Sequence, residues 1–157
     1  MVTPTLTVLI AELRDGLKAR NAELSDQFTP DKSVTDLLTA RCAAVDDALG
    51  QLWAHFNLDE ANATLAAVGG YGRGELYPQS DVDVLILIPD EAKVDNTSLS
   101  GFVGALWDLG LKIGHSVRTP DECISLASTD ITVMTTLIET RLLAGEGALL
   151  DEVTKRL

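Results

Sequence analysis

A chain of 157 residues, 46% apolar and 23% charged, is long enough for one domain with its own core. Its net charge of −12 argues against broad nucleic-acid binding, yet admits a nucleotide that arrives with a divalent cation. The longest strongly apolar stretch, 84–88, is far too short to span a membrane, and no basic segment leads into an apolar run as in a secretory signal, so the expected location is the cytoplasm.

In chain order, Leu6, Leu9, Ile10, Leu13 and Leu17 recur at helical spacing and predict an amphipathic first helix over about 5–24. A loop over 27–32 follows, with Pro30 as its breaker. Ser33 and Asp36 have capping-box spacing, with Asp in place of the usual Glu. Behind them Val34, Leu37, Leu38, Val45, Leu49, Leu52, Trp53 and Phe56 predict a second, longer helix. The pattern changes at Thr64: 64–68 is short, apolar and closed by two glycines, a buried strand. A second strand is predicted over 82–88, β-branched or Leu apart from Asp83 and ended by Pro89. Between the two lies the glycine-rich segment 69–80. Leu99, Phe102, Val103, Leu106 and Trp107 predict a helix ending at Gly110, and 111–119 a third strand. Thr119, Pro120 and Glu122 form a strong helix start. Ile131, Met134, Leu137, Ile138 and Leu142 predict a further helix with Gly145 as its C-cap, and 148–157 continues as a helix whose abrupt end suggests a fragment of a longer protein. The fold class is therefore α/β (α+β): a small mixed β-sheet carrying helices, preceded by N-terminal helices. Cys42 and Cys123 are isolated, each in a helix-like pattern, and read as reduced core thiols rather than as a disulfide or metal site.

Asp81 and Asp83 carry the chemistry. Residues i and i+2 of a strand point the same way, so the two carboxylates stand side by side with Val82 turned into the core between them. Two such charges raise each other's proton affinity, and a hard cation relieves them. Mg²⁺ takes oxygen ligands and shares its shell with substrate phosphates, which makes the pair a metal-site candidate. A bare Asp-x-Asp is more often an exposed strand edge; an otherwise apolar strand is the context that favours the metal. Gly69 and Gly70, with Gly72 and Gly74 behind them, allow backbone N–H groups to approach a polyanion, so this loop and the helix turn after it are expected to cradle a triphosphate. The plain alternative is a flexible turn; neither a Walker loop nor a good dinucleotide fingerprint is present. Arg73 has two readings, a fork on a phosphate or a salt bridge to Glu75. Ser80 donates to a phosphate or caps the turn into the strand. Tyr71 and Tyr77 are expected to pack the loop. His115, in the third strand, is either a ligand or proton carrier or, by default, a hydrogen-bonded structural histidine.

The run VGGYGRGELYPQSDVDVLIL, 68–87, resembles the nucleotidyltransferase superfamily pattern of Gly-Gly or Gly-Ser followed about a dozen residues later by Asp-x-Asp in a strand. More narrowly it resembles the N-terminal domain of the PII-protein uridylyltransferases, bifunctional nitrogen-sensing enzymes that add and remove a uridylyl group. The segments LWDLGLKIGHSVRTPDEC and TDITVMTTLIETRLLAGE extend the likeness over most of the chain from Val68 onward, and the first two helices match more loosely. The resemblance implies a nucleotidyltransferase (polymerase-β-like) fold in which a helical segment 1–60 packs on a catalytic core 61–157. It implies transfer of UMP, or AMP, from UTP or ATP to a tyrosine of the PII signal protein, with one or two Mg²⁺ ions and release of pyrophosphate. Gly69 and Gly70 correspond to the phosphate-loop glycines and Asp81 and Asp83 to the catalytic metal ligands, while Arg73 and Ser80 fall in the matched motif as nucleotide-binding residues. The partner would be the PII protein, with no nucleic acid and no membrane. A longer enzyme of this kind continues into an HD-type hydrolase and ACT sensor domains. One departure stands out: many superfamily members carry a third carboxylate on a later strand, whereas KIGHSVRT holds no acid. The base that deprotonates the acceptor is thereby left open, between His115 and a metal-bound or substrate group. Two rivals remain, a nucleotidyltransferase with a small-molecule acceptor and a regulatory module that binds nucleotide or partner without turnover.

Overall fold

The computed structural model describes residues 5–27, 33–77, 80–89 and 96–157. The chain opens with two long helices, α1 (Leu6–Asp26) and α2 (Val34–His55). Strand β1 (Thr64–Ala67), a single helical turn α3 (Gly69–Gly72) and strand β2 (Val82–Leu87) follow. Helix α4 (Asn96–Asp108), strand β3 (Ile113–Arg118), helices α5 (Pro120–Ala127) and α6 (Ile131–Ile138), strand β4 (Arg141–Gly145) and helix α7 (Ala148–Arg156) complete it. The four strands form one mixed sheet in the order β3-β2-β1-β4. Strand β1 runs antiparallel to both β2 and β4, whereas β2 and β3 are parallel and joined through α4, as a parallel pair requires a crossover.

Alternation along the strands divides the core between the two faces of the sheet. Leu65 and Ala67 of β1 and Val82, Val84 and Ile86 of β2 pack with Leu9, Leu49, Trp53, Phe102 and Leu106 from α1, α2 and α4. Ala66, Val68, Leu85 and Leu87 face the other way, onto Cys123, Leu137 and Val153 from α5, α6 and α7. Trp53 meets Phe102 edge to face at 5.3 Å, and its indole N–H donates to Asp59 at 2.8 Å, so this large core ring leaves no polar atom stranded. Helices α1 and α2 thus share one apolar cluster with β1 and β2. Cys42 and Cys123 are both buried and free, and they lie in different clusters on opposite faces of the sheet. Among the described residues no helix is long and apolar enough to cross a membrane.

The start signals fared unequally. Thr119 forms the full capping box: its hydroxyl accepts from Glu122 N at 3.2 Å, and the Glu122 carboxylate accepts from Thr119 N at 3.1 Å. Ser33 does occupy the N-cap of α2, yet its side chain makes no capping bond. Asp36 is one methylene shorter than the Glu such a box needs, which weakens the reciprocal arm. The breaker expected at Pro30 lies outside the described residues.

One element was misread. The helix expected to run through Leu142 with Gly145 as its C-cap stops at Ile138, and Arg141–Gly145 is strand β4. Strand β1 is buried along its whole length, so both its edges need hydrogen-bond partners, and β4 supplies the second. Gly145, at φ +85°, is required there for space: a Cβ would come within 2.4 Å of the Ala63 carbonyl oxygen.

Candidate active site

The site is assembled where β1 ends and β2 begins, which antiparallel pairing brings to the same end of the sheet. Val68 N donates to Asp83 O at 3.0 Å as β1 gives way to the turn. Gly69 then adopts φ +62°, a conformation glycine reaches without the penalty of a Cβ. The turn α3 closes through Gly72 N to Val68 O at 3.1 Å and Arg73 N to Gly69 O at 3.0 Å. The first N–H groups of such a turn, those of Gly69, Gly70 and Tyr71, have no partner within it.

Asp83 sits in a slot between two glycines. A Cβ on Gly69 would lie 3.6 Å from Asp83 Oδ2, so the turn and the carboxylate are in direct apposition. On the other side Gly114, the partner of Asp83 in the parallel register, is closer still: a Cβ there would fall 2.4 Å from Asp83 Oδ1. Asp83 is half-buried and Asp81 exposed. Burial, and then the charge of Asp81, push the Asp83 carboxyl above the usual carboxylate range. A cation beside the pair would relieve both causes at once. Among the described residues no group of three or more His, Cys, Asp or Glu gathers around a point, so the protein's donor set is the carboxylate pair itself. Two hard oxygen ligands in a slot kept free of side-chain carbon fit Mg²⁺, which characteristically completes its shell with water and substrate phosphate.

Arg73 adopts the salt-bridge arrangement and adds a second acid. Its Nε meets Glu75 Oε2 at 3.1 Å and its Nη1 meets the Glu139 carboxylate, on a side chain still 45% exposed. The bonds to Glu75 and then Glu139 raise its pKa above the ordinary guanidinium value. Ser80 N donates to Tyr77 O at 3.0 Å, which places Ser80 at the turn directly ahead of Asp81. Pro78 and Gln79 lie outside the described residues. Tyr71 packs the turn as expected, 1% exposed, whereas Tyr77 is 52% exposed.

His115 does not belong to this site. Gly114, Ser116 and Arg118 of β3 share the face of Asp83, so His115 points to the opposite face, where its exposed ring lies edge to face with Trp107 at 6.4 Å. Its part as proton carrier beside the carboxylates is therefore withdrawn.

A support around the turn went unrecognised in the sequence. The Tyr71 hydroxyl donates to Asp46 of α2, and Arg141 of β4 grips the same carboxylate, Nη1 to Oδ2 at 2.7 Å and Nη2 to Oδ1 at 3.3 Å. Arg141 Nη2 also donates to Tyr71 O at 3.1 Å, and its guanidinium lies 5.2 Å from the centre of the Tyr71 ring. Burial first, and the bond to Asp46 next, push the Tyr71 phenol far above its ordinary pKa, so it stays neutral. The Glu139 carbonyl presses so close to Gly72 that any Cβ there would collide with it. The α6–β4 corner thus clamps the turn from below. The residues involved are separated by up to 95 positions, a distance no local spacing rule spans.

The sequence profile of the family described as nucleotidyltransferase domain matches residues 47–142. The chain is 47% identical over 145 residues to a bifunctional uridylyltransferase/uridylyl-removing enzyme of Chromobacterium violaceum, covering 92% of this chain and 17% of that protein. It is 53% identical over 137 residues to the enzyme of the same description from Ralstonia nicotianae, covering 87% and 16%. The corresponding values for that of Cupriavidus metallidurans are 46% over 155 residues, 98% and 18%. The chain therefore spans about one sixth of the length of these relatives. A solved structure described as a toxin-antitoxin with AMP-PNP aligns at a TM-score of 0.44 and 16% identity, over 68% of this chain and 82% of that one.

Proposed function

This chain belongs to the nucleotidyltransferase domain family, and from that membership we propose that it moves UMP, with AMP as the alternative, from a nucleoside triphosphate to a tyrosine of the PII nitrogen-signalling protein. The uridylyl group is suggested by the names of the relatives and the PII tyrosine by the resemblance of the motifs. The observation that carries the reading is the slot: Asp83 held between Gly69 and Gly114, its proton affinity raised by burial and by Asp81.

In this reading the N–H groups of Gly69 and Gly70 donate to phosphate oxygens, and Arg73 exchanges its exposed partner Glu75 for a phosphate oxygen. Ser80 offers its hydroxyl beside Asp81. Asp81 and Asp83 would hold one or two Mg²⁺ ions, which when bound neutralise charge on the phosphates and on the leaving group. The acceptor hydroxyl oxygen forms a bond to the α-phosphorus, the bond from that phosphorus to the bridging oxygen breaks in line with it, and pyrophosphate leaves. With His115 on the opposite face, the phenolic proton passes to a metal-bound or substrate group and from there to solvent. The chain's contribution is then positioning and electrostatics. We place the reaction in the cytoplasm, where buried free thiols such as Cys42 and Cys123 persist, and assign no role to nucleic acid or membrane. Residues 1–60 would act as the support of a catalytic core at 61–157.

The test is pyrophosphate release with Mg²⁺ and PII protein, UTP and ATP offered in parallel. Replacing Asp81 and Asp83 together by Asn is expected to lower release by about 1000-fold or more while the melting transition is retained. Among the described residues no third acid joins the pair, which favours the rival of a module that binds without turnover; nucleotide affinity without any release in the unmodified chain would support that rival.

A further inference from the structure

Beside the carboxylate pair, on the same face of the sheet, a cavity of about 130 Å³ opens between β3 and α6. Val68 and Leu85 form its floor, and Ser116, Arg118, Thr132 and Thr136 supply its polar lining. Register fixes its position relative to the site: Gly114 pairs with Asp83, Ser116 with Leu85 and Arg118 with Leu87. A strand advances about 3.3 Å per residue, so Ser116 and Arg118 lie roughly 7 Å and roughly 13 Å along β3 from the glycine that abuts Asp83. Ribose and base follow an α-phosphate over a comparable span in an extended nucleotide.

The polar groups of the cavity are uncommitted in an informative way. Among the described residues neither the Ser116 hydroxyl nor the half-buried Arg118 guanidinium has a hydrogen bond or ion pair. Arg41, Arg73 and Arg141, by contrast, are all held by carboxylate, amide or carbonyl oxygens. The Thr136 hydroxyl donates to Thr132 O at 2.9 Å, which leaves its oxygen free to accept. The lining therefore offers donors at Arg118 and Ser116 and an acceptor at Thr136. A guanidinium can only donate. It suits a base edge that presents carbonyl oxygens around a ring N–H, as uracil does, and opposes the amino group of adenine.

We infer that this cavity seats the nucleoside of the donor triphosphate, and that Arg118 and Ser116 select a base with carbonyl oxygens, uracil over adenine. The inference rests on the transfer reading above and names the residues that discriminate between its two donors.

The experiment is calorimetric binding of UTP, ATP and inorganic tripolyphosphate, each with Mg²⁺, to the unmodified chain and to the Ser116→Ala and Arg118→Gln variants. The unmodified chain is expected to bind UTP about 10-fold to 100-fold more tightly than ATP or tripolyphosphate, as one or two charge-assisted bonds would give. Arg118→Gln should bring UTP and ATP to within about threefold of each other, and Ser116→Ala should weaken UTP by about threefold to tenfold. Tripolyphosphate affinity should stay the same in both variants, which also reports that each is folded. An unchanged UTP-to-ATP ratio in Arg118→Gln overturns the inference. So does an equal loss of UTP and tripolyphosphate, because Arg118 would then be a phosphate contact. Tripolyphosphate binding with no advantage for UTP in the unmodified chain removes the cavity's role alone, whereas binding of none of the three removes the transfer reading with it.

Discussion

At the scale of single residues, the account depends on Gly114 as much as on the aspartates. Its missing Cβ is the space that Asp83 Oδ1 occupies. Gly114→Ala should push the carboxylate aside by a fraction of an ångström to an ångström, and displacements of that size at a reacting centre lower rates by about 100-fold. The expected result is that loss in pyrophosphate release with a melting temperature near that of the unmodified chain. Activity unchanged in Gly114→Ala would mean that the slot does not hold the working carboxylate. Asp81 and Asp83 were legible in the sequence because strand periodicity alone sets two carboxylates on one side. Gly114 was not, because its meaning depends on which residue of β2 it pairs with, and register between two distant strands is not written in either of them. The same gap explains His115: one step of register decides whether it shares a face with Asp83 or turns away, and it turns away.

At the scale of elements, the single turn α3 is too short to hold itself, and it is gripped from α2 and from β4. Arg141→Met should leave Asp46 with the Tyr71 hydroxyl, and the Tyr71 carbonyl with Gly74 N, in place of the guanidinium that ties the two together. The ion pair is about one-third exposed on each side, so the stability lost in chemical denaturation is expected to be about 1–3 kcal/mol, below that of a fully buried pair. Arg156→Met, which removes a largely exposed contact to Asp121, should lose less than about 1 kcal/mol. Equal losses would show that Arg141 carries no special load on the turn. The long amphipathic helices and the two apolar strands were readable from periodicity, and the start of α5 from its capping box. Strand β4 was not. Leu142 continues the apolar spacing of α6, and only the unpaired edge of β1, a tertiary fact, draws Arg141–Gly145 out of a helix and into the sheet.

At the scale of the whole molecule, a four-stranded mixed sheet covered on both faces by helices holds the turn, the carboxylate pair and the nucleoside cavity in one row across β1, β2 and β3. In the proposed reading, the acidic charge of −12 assigns phosphate recognition to backbone N–H groups, Arg73 and a divalent cation rather than to a basic patch. The class of fold followed from the order of the predicted elements and one extended motif. The sheet order and the clamp beneath the turn required the folded chain, because both are relations between segments far apart in sequence. The most direct measurement is to incubate the chain with PII protein, Mg²⁺ and UTP labelled either on the α-phosphate or on the γ-phosphate, and to follow the label onto protein. The account predicts that the α-label appears on a PII tyrosine and the γ-label only in pyrophosphate, with neither event in the Asp81→Asn/Asp83→Asn variant. A γ-label on protein, or nucleotide that binds tightly and never parts with its α-phosphate, would contradict it.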